Sequence, residues 1–236
     1  GAMRRPSSMK TDTPRTSFYG RRKGKSLRAR QAELYRSLLP GLRVDLAALK
    51  DGIACLGFDE SKPVWLEIGF GGGEHLASEA MSNPNVGFIG CEPFVNGVAK
   101  LIASIDQLDT KNVRIYDKEV IDLIEALPDA SIEQVSILYP DPWPKLRHKK
   151  RRLISSDFLI KLARVMKPGS DLRFATDIDD YAGWTLRRIE DSPCFSWKPA
   201  SSQDWLKPWD KWPGTRYEAK ALREGRTPVY LTFNRI

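Results

Sequence analysis

Short apolar runs alternate with amphipathic stretches along most of the chain after Pro63. The apolar runs have the length of buried strands, and the stretches between them have the 3.6-residue period of a helix. Five strand–helix pairs occur in succession, with strands at VWLEI, VGFIG, VRIY, QVSIL and DLRFAT. This alternation predicts an α/β fold with a mainly parallel sheet and helices on both faces.

Capping and helix-breaking residues indicate where these helices start and stop. Pro168-Gly169 is expected to end the fourth helix, and Ser156-Asp157 to cap its start. Asp179 or Asp180 is expected to cap the fifth helix.

The N-terminal part precedes this alternating region. Residues 1–26 are polar and rich in Arg, Ser, Thr and Pro, so we expect a flexible arm. Apolar residues then recur at helical spacing over residues 27–39, until Pro40-Gly41 ends the pattern. We therefore expect one domain over residues 27–236, with its core beginning near residue 60.

The C-terminal part is irregular before it ends in a strand. Residues 192–216 are rich in Pro and Trp and have no clear period, and residues 217–223 are compatible with a short helix. The segment VYLTFN follows too short a crossover for a parallel strand, so we expect an antiparallel strand near the sheet edge.

Basic charge is concentrated at the N-terminus. The formal net charge is +8, but the first 30 residues hold ten Lys or Arg and one acid, whereas the remainder holds 28 basic and 29 acidic residues. A cationic arm attracts phosphates in a salt-sensitive way, although a solvated leader that aids solubility has the same composition. A second basic run at residues 145–152 favours the nucleic-acid interpretation.

Cysteine, histidine and apolar content narrow the functional classes. Three widely spaced cysteines argue against a disulfide framework and a zinc site. Because the chain has only two histidines, it offers few candidates for the histidine of a Ser-His-Asp triad. No apolar run approaches the roughly 20 residues of a membrane helix, and no secretory signal is evident. We expect a cytoplasmic protein without metal or membrane association, and a monomer, since nothing requires a partner subunit.

A glycine-rich turn follows the first strand. Gly69, Gly71 and Gly73 allow the backbone to approach a ligand closely, a feature shared by many nucleoside binders. Glu67 and Glu74 flank the turn, where they would repel the pyrophosphate of a nicotinamide dinucleotide but attract a cation. S-adenosylmethionine, which carries a sulfonium and an ammonium group but no phosphate, is therefore the expected cofactor.

Acidic residues also follow the second and third strands. Glu92 comes directly after an apolar strand, about twenty residues past the glycines, and is expected to accept both ribose hydroxyls. A solvated loop acid is the alternative for Glu92. Asp117, Lys118 and Glu119 follow the third strand, where an adenine ring would lie, and the sequence does not choose among them or a backbone amide.

The segment VSILYPDPWPKLRHKKRR at residues 135–152 is the most informative in the chain. An apolar strand ends in a loop whose three prolines restrict the backbone, so Asp141 and Trp143 are expected to be held in place. In open α/β sheets ligands bind at this carboxyl edge. A carboxylate, an aromatic ring and a basic run predict a site for a flat, hydrogen-bonding group on a polyanion. The alternatives are a turn-capping Asp141 and a core Trp143.

These motifs together resemble the bacterial tRNA (guanine-N7-)-methyltransferase family. The resemblance covers the chain from about residue 60 to its end and rests on EIGFGGG (67–73), GCE (90–92), YPDPWPKLRHKKRR (139–152), FATDIDDYA (174–182) and TRYE (215–218). It implies a Rossmann-like, S-adenosylmethionine-dependent methyltransferase fold. It also implies methyl transfer to N7 of a guanine in the variable loop of tRNA, which gives 7-methylguanosine.

The resemblance further implies roles for individual residues. Glu67, Glu92 and Asp141 would belong to the S-adenosylmethionine site, with Asp141 as the catalytic residue. The expected contacts to the RNA substrate are Lys145, Asp177, Thr215, Arg216, Tyr217 and Glu218. Where the family commonly has an Asp-Ala pair, this chain has Lys118-Glu119, with Asp117 one place earlier. We expect Asp117 and Lys118 to make this cofactor contact.

Guanine N7 methylation suits a chain with only two histidines. N7 carries a lone pair and no proton, so the reaction needs no general base. A carboxylate that accepts from guanine N1–H and the 2-amino group would select guanine and favour its developing positive charge; Asp141 and Asp177 are both candidates. The alternatives are an exocyclic-amine nucleic-acid methyltransferase, whose proline loop Asp141 would interrupt, and a non-catalytic RNA-binding protein on the same fold.

Overall fold

The computed structural model describes residues 27–236, so the arm expected at residues 1–26 lies outside the described residues. The helices are α1 (Ala29–Leu42), α2 (Leu46–Leu49), α3 (Glu74–Ser82), α4 (Val95–Leu108), α5 (Val120–Ala126), α6 (Ser156–Val165), α7 (Asp179–Asp191), α8 (Gln203–Leu206) and α9 (Arg216–Arg223). The strands are β1 (Val64–Ile68), β2 (Gly87–Cys91), β3 (Val113–Tyr116), β4 (Ile132–Leu138), β5 (Met166–Thr176), β6 (Phe195–Ser196) and β7 (Val229–Arg235). Short 3-10 turns cover Ile53–Leu56 and Leu146–Arg151.

The strands form one sheet in the order β3-β2-β1-β4-β5-β7-β6. The first five pair in parallel, whereas β7 is antiparallel to both β5 and β6. This confirms the mainly parallel sheet and the antiparallel C-terminal strand. The strand order reverses between β1 and β4, which is where an open α/β sheet binds its ligands.

The sheet separates two hydrophobic cores, as expected for helices on both faces. On one face Leu66 and Phe174 pack with apolar residues of α5, α6 and α7. On the other face Phe88 and Ile115 pack with residues of α1, α3 and α4. Within the part of the chain that the structure describes, no helix is both long and apolar enough to cross a lipid bilayer.

One expected helix end is wrong. Helix α1 continues through Pro40 to Leu42, and its last turn closes with the Arg43 amide donating to the Leu39 carbonyl over 2.8 Å. Helix α6 ends at Val165, just before Pro168-Gly169, as expected, but this pair lies inside β5 instead of a loop. The β4–β5 register shifts at this point, and such an irregularity accommodates a proline and a glycine within a strand.

The expected caps of α6 and α7 are also corrected. Ser155 caps α6, with its side chain accepting from the Phe158 amide at 3.1 Å, so Ser156 and Asp157 lie in the first turn. Helix α7 begins after Ile178, and neither Asp179 nor Asp180 caps it. The Asp180 carboxylate instead pairs with a distant arginine, a contact that local sequence does not encode.

Candidate active site

Four acidic residues lie at the carboxyl ends of neighbouring strands. Glu67 lies near the end of β1, whereas Glu92, Asp117 and Asp141 follow β2, β3 and β4. Because β3, β2, β1 and β4 are consecutive in the sheet, all four lie along the same edge, as the sequence predicts.

The glycine turn adopts a backbone that requires glycine. Gly69, Gly71 and Gly73 have φ angles of +73°, +58° and +80°, in the left-handed region that other residues rarely adopt. Helix α4 packs directly against this turn, since a Cβ on Gly97 would lie 2.1 Å from the Gly71 carbonyl oxygen. The close approach fixes the turn beside the start of α4.

Glu92 is held by the backbone on both sides. Its carboxylate is buried and accepts from the Gly71 amide at 2.9 Å and the Phe94 amide at 3.1 Å. Burial raises the pKa of Glu92 to about 7, the amide donors oppose this change, and the charge of Asp141 adds to it. The two carboxyl groups are therefore close enough to interact, and Glu92 ionises near neutral pH.

The carboxylate of Asp117 is occupied by a protein partner. Arg43, which follows α1, donates from Nε at 3.1 Å and from Nη2 at 3.0 Å. The Lys118 carbonyl oxygen accepts from the Cys91 thiol at 3.6 Å, while the Lys118 side chain is exposed. The loop after β3 is thus tied to both β2 and α1.

The structure contains a buried ionic pair at Glu67 that the sequence did not predict. His75 Nδ1 is hydrogen-bonded to Glu67, and His75 Nε2 lies 3.3 Å from Glu79 Oε1. Burial lowers the pKa of His75, but the two carboxylates outweigh it and raise the pKa to about 9. Glu67 therefore faces a cationic imidazolium, a partner that the sequence did not reveal. Only the fold brings the side chains of β1 and α3 together across the glycine turn.

The loop after β4 holds Asp141 at the rim of the site. Tyr139 and Trp143 have φ angles of +52° and +41°, which are strained for non-glycine residues and need support from their surroundings. Asp141 is exposed, and no group among the described residues donates to its carboxylate. Partial desolvation by the adjoining protein raises its pKa. The Trp143 ring contacts the His148 ring edge at 5.8 Å and the Arg151 guanidinium at 5.1 Å.

Arg152 differs from the rest of the basic run. Its side chain is fully buried, with Nε donating to the Pro142 carbonyl at 2.7 Å and Nη2 to Asp180 at 2.6 Å. The guanidinium also lies over the rings of Tyr181 and Trp184. The expectation that all of residues 145–152 face phosphates is therefore wrong at Arg152, which anchors the proline loop from inside. Lys145 is exposed, as expected.

The TRYE segment caps and anchors α9. Thr215 accepts from the Glu218 amide at 3.0 Å, and Arg216 is exposed. Glu218 is buried, and its carboxylate accepts from the Tyr139 hydroxyl at 2.7 Å and from Trp212 Nε1 at 2.9 Å. Without the family resemblance, sequence reasoning would have placed Glu218 on a helix surface.

Asp177 is similarly engaged by protein groups. Its buried carboxylate accepts from Arg226 Nε at 2.6 Å and from the Tyr217 hydroxyl at 3.2 Å. Asp177 therefore connects the end of β5 to α9, whereas Asp141 has an uncommitted carboxylate. The residue Arg226 was not among the candidates from sequence.

A cavity of about 260 Å³ lies between the glycine turn and α9. Its walls come from the glycine turn, the end of β4 and the TRYE segment, and include Glu67, Gly69, Gly71, His75, Tyr139, Thr215, Arg216 and Tyr217. Glu92 and Asp141 lie outside this lining. Among the described residues, no group of three or more His, Cys, Asp or Glu side chains is placed to hold a metal ion.

Solved structures support the fold. The chain superposes on the 16S rRNA methyltransferase KamB with a TM-score of 0.54 at 18% identity, covering 75% of this chain and 88% of that one. An antibiotic-related methyltransferase matches with a TM-score of 0.50 at 18% identity, covering 90% of this chain and 97% of the other. At these identities the likeness concerns the Rossmann-like methyltransferase fold alone.

Sequence relatives show the family. A family model described as putative methyltransferase matches residues 61–231. A tRNA (guanine-N(7)-)-methyltransferase of Rhizobium etli is 50% identical over 221 residues, which are 93% of this chain and 96% of that protein. One from Roseobacter denitrificans is 48% identical over 238 residues, or 96% of this chain and 99% of that protein. This chain therefore belongs to the tRNA (guanine-N7-)-methyltransferase family.

Proposed function

We propose that this chain transfers the methyl group of S-adenosylmethionine to N7 of a guanine in tRNA, with Asp141 as the catalytic residue. The observation that carries the assignment is the state of the Asp141 carboxylate. It is exposed at the carboxyl edge, on a loop with a strained backbone, and no described group donates to it. Asp177, the other candidate, already accepts from Arg226 and Tyr217.

The residues at the sheet edge fit S-adenosylmethionine. The left-handed glycine turn admits a ligand close to the backbone, where a side chain would obstruct it. The Glu92 carboxylate is oriented by two amides and retains lone pairs for ribose hydroxyls. The exposed carboxyl groups of Glu74 and Asp141 suit a cationic ligand and disfavour a pyrophosphate. S-adenosylmethionine supplies an electrophilic methyl group on a positively charged sulfur.

The loop after β3 is proposed to contact the adenine ring. Because Arg43 occupies the Asp117 carboxylate, Asp117 contributes mainly by fixing the loop, and backbone groups near Lys118 contact the ring. The assigned cofactor residues are Glu67, Gly69, Gly71, Gly73, Glu92, Asp117, Lys118 and Asp141.

Asp141 performs the proposed recognition step. Its carboxylate accepts from N1–H and the 2-amino group of guanine, which selects this base and stabilises the positive charge that develops on the ring. N7 has no proton to lose, so no general base takes part. Most of the rate enhancement comes from holding the reacting atoms about 3–3.5 Å apart and in line.

The substrate side of the site is assigned to α9 and the exposed basic residues. Lys145 and Arg216 are exposed and suited to phosphates. Thr215, Tyr217, Glu218 and Asp177 hold α9 in position beside the cavity. The arm of residues 1–26 adds non-specific attraction to tRNA, so its removal should reduce the salt dependence of RNA binding.

A methylation assay tests the function directly. The chain is incubated with labelled S-adenosylmethionine and unmodified tRNA, and the modified nucleoside is identified and located by mass spectrometry. We expect 7-methylguanosine in the variable loop, with no product from Asp141→Asn. A product of N6-methyladenosine would instead establish an exocyclic-amine methyltransferase. RNA binding without any methylated product would establish a non-catalytic binding protein.

We further propose that the chain acts as a monomer in the cytoplasm. One chain supplies the glycine turn, the acidic edge, the proline loop and the TRYE segment, so the site needs no residue from a second copy. Light scattering at assay concentration should give the mass of one chain. A dimer mass, or recovery in a membrane fraction of the source cells, would contradict this proposal.

A further inference from the structure

His75 is the centre of a buried ionic cluster that the methyl-transfer chemistry does not use. It is 6% exposed, bonds Glu67 through Nδ1, and places Nε2 at 3.3 Å from Glu79 Oε1. Glu67 and His75 both line the cavity beside the glycine turn. The cluster is therefore part of the wall of the proposed cofactor pocket.

The surroundings of His75 come from several elements. Helix α3 contributes Glu79 and the exposed Glu74, and β1 contributes Glu67. On β5, the charge of Arg173 acts on Glu79. The Trp212 ring lies 4.7 Å from the imidazole, between His75 and the buried Glu218. Two carboxylates in direct contact make the imidazolium the favoured form.

The side chain of Glu67 depends on this contact for its orientation. Both Glu67 and His75 are buried, and a buried carboxylate without a hydrogen-bond donor is strongly destabilised. Among the described residues, His75 alone is hydrogen-bonded to the Glu67 carboxylate. Removing the imidazole would therefore change both the charge and the position of Glu67.

We propose that His75 is a positioning residue of the methyl-donor pocket, which holds the Glu67 carboxylate against the cavity and supports the Trp212 ring. The proposal rests on the proposed function, because it assumes that Glu67 contacts the cofactor. His75 acts through Glu67, the carboxylate to which its Nδ1 is hydrogen-bonded. The raised pKa of His75, about 9, keeps the imidazolium charged throughout the neutral range.

Nuclear magnetic resonance provides the first test, because the chain has only two histidines. The ring signals are titrated from pH 5 to 10, with His148→Asn for assignment. We expect His75 to titrate near pH 9 and the pKa of the half-buried His148 to lie below its usual value. Glu79→Gln should lower the His75 midpoint, whereas Glu133→Gln, at an exposed position on β4, should leave it unchanged. A His75 midpoint at or below 6.5 would overturn the proposal.

Calorimetry with S-adenosylhomocysteine provides the second test. His75→Leu should weaken binding by about tenfold or more, as expected for loss of a charge-assisted hydrogen bond. His75→Asn, whose amide can donate from the same position, should restore most of the affinity. In kinetics, His75→Leu should raise KM for S-adenosylmethionine and leave KM for tRNA unchanged. Binding by His75→Leu equal to that of the parent would overturn the proposal.

A ligand titration of the parent protein covers the case in which His75→Leu does not fold. Saturating S-adenosylhomocysteine should shift the His75 ring signals and its titration midpoint, whereas unchanged signals would overturn the proposal. Failure of the parent to methylate tRNA would instead reject the proposed function, and it would leave the histidine titration and the calorimetry interpretable.

Discussion

The Tyr139 hydroxyl donates to the Glu218 carboxylate over 2.7 Å and so joins the end of β4 to α9, 79 positions later in the chain. Trp212 Nε1 donates to the same carboxylate. Burial raises the pKa of the Tyr139 phenol, and the hydrogen bond to Glu218 raises it further, so the phenol stays protonated as a donor. The TRYE segment therefore supports the proline loop through the contact between Glu218 and Tyr139.

Tyr139→Phe should destabilise the protein, because it leaves a buried carboxylate with one donor fewer. We expect a loss of about 1–3 kcal/mol in the free energy of unfolding, measured by urea titration. Tyr217→Phe is the matched control, because Tyr217 is exposed and its hydroxyl donates to Asp177 over a longer 3.2 Å. Equal losses in the two variants would contradict a special role for the Tyr139–Glu218 bond.

Comparing Arg152→Ala with Lys150→Ala should distinguish a residue that anchors the proline loop from one that contacts phosphate. Removing the buried Arg152 leaves the Pro142 carbonyl unpaired and a void beside two aromatic rings, which should cost about 2–4 kcal/mol of stability. The salt slope of RNA binding should stay the same. Lys150 is exposed, so its loss should change stability by less than about 0.5 kcal/mol.

The Lys150→Ala variant should also bind RNA differently from the parent protein. Losing one phosphate contact at Lys150 reduces the slope of log affinity against log salt by about 1. Both quantities are measured with the same protein samples, by urea titration and by filter binding at several salt concentrations. A reduced salt slope in Arg152→Ala at unchanged stability would show that Arg152 faces RNA after all.

Cofactor affinity should rise with pH through the neutral range because of Glu92. Burial raises the pKa of Glu92 to about 7, so a proton must leave before the carboxylate accepts two ribose hydroxyls fully. Below pH 7 we expect affinity for S-adenosylhomocysteine to fall by up to about tenfold per pH unit. Calorimetry at pH 6, 7 and 8 measures this, and Glu92→Gln should bind more weakly with a flat profile. A flat profile in the parent would disprove the assignment.

Glu92 should also make the free energy of unfolding depend on pH. This stability should fall as pH rises, whereas cofactor affinity should increase. Its pKa in the folded state lies above the usual glutamate value of 4.5, so the folded state binds the proton more tightly than the unfolded state. The stability from the protonated form is therefore complete below about pH 4.5 and is lost as pH rises toward 7. Urea titrations of the parent and Glu92→Gln across this window should show a difference that changes with pH.

Gly97→Ala and Gly41→Ala are a matched pair on two helices. A Cβ at Gly97 would lie 2.1 Å from the Gly71 carbonyl oxygen, whereas one at Gly41 would meet no atom within 4 Å. Gly97→Ala should cost about 1–3 kcal/mol and weaken cofactor binding by displacing the glycine turn. Gly41→Ala should be neutral or stabilising by up to about 1 kcal/mol, since alanine favours a helix. Normal cofactor binding by Gly97→Ala would show that the turn tolerates displacement.

Local patterns correctly predicted most of the secondary structure. The boundaries of β1 and β3 agree with VWLEI and VRIY, because these apolar runs are flanked by turn-forming or polar residues and are largely buried in the sheet. The expected start of the fifth strand at DLRFAT was late, because Met166 already pairs with Ile132 of β4 and the register shift carries Pro168-Gly169 within β5. Cross-strand pairing is a long-range interaction, and a single stretch of sequence does not contain it.

The sequence by itself determined the strand–helix alternation, the glycine turn and the order of acidic residues at strand ends, because these depend on short-range periodicity and backbone freedom. Only the tertiary structure decided how the buried charges are paired. Glu67 meets His75, Asp117 meets Arg43, and Arg152 turns inward from a run of otherwise polar and basic neighbours. Each pairing balances a charge that burial would otherwise destabilise, and which partner is available depends on how distant elements pack.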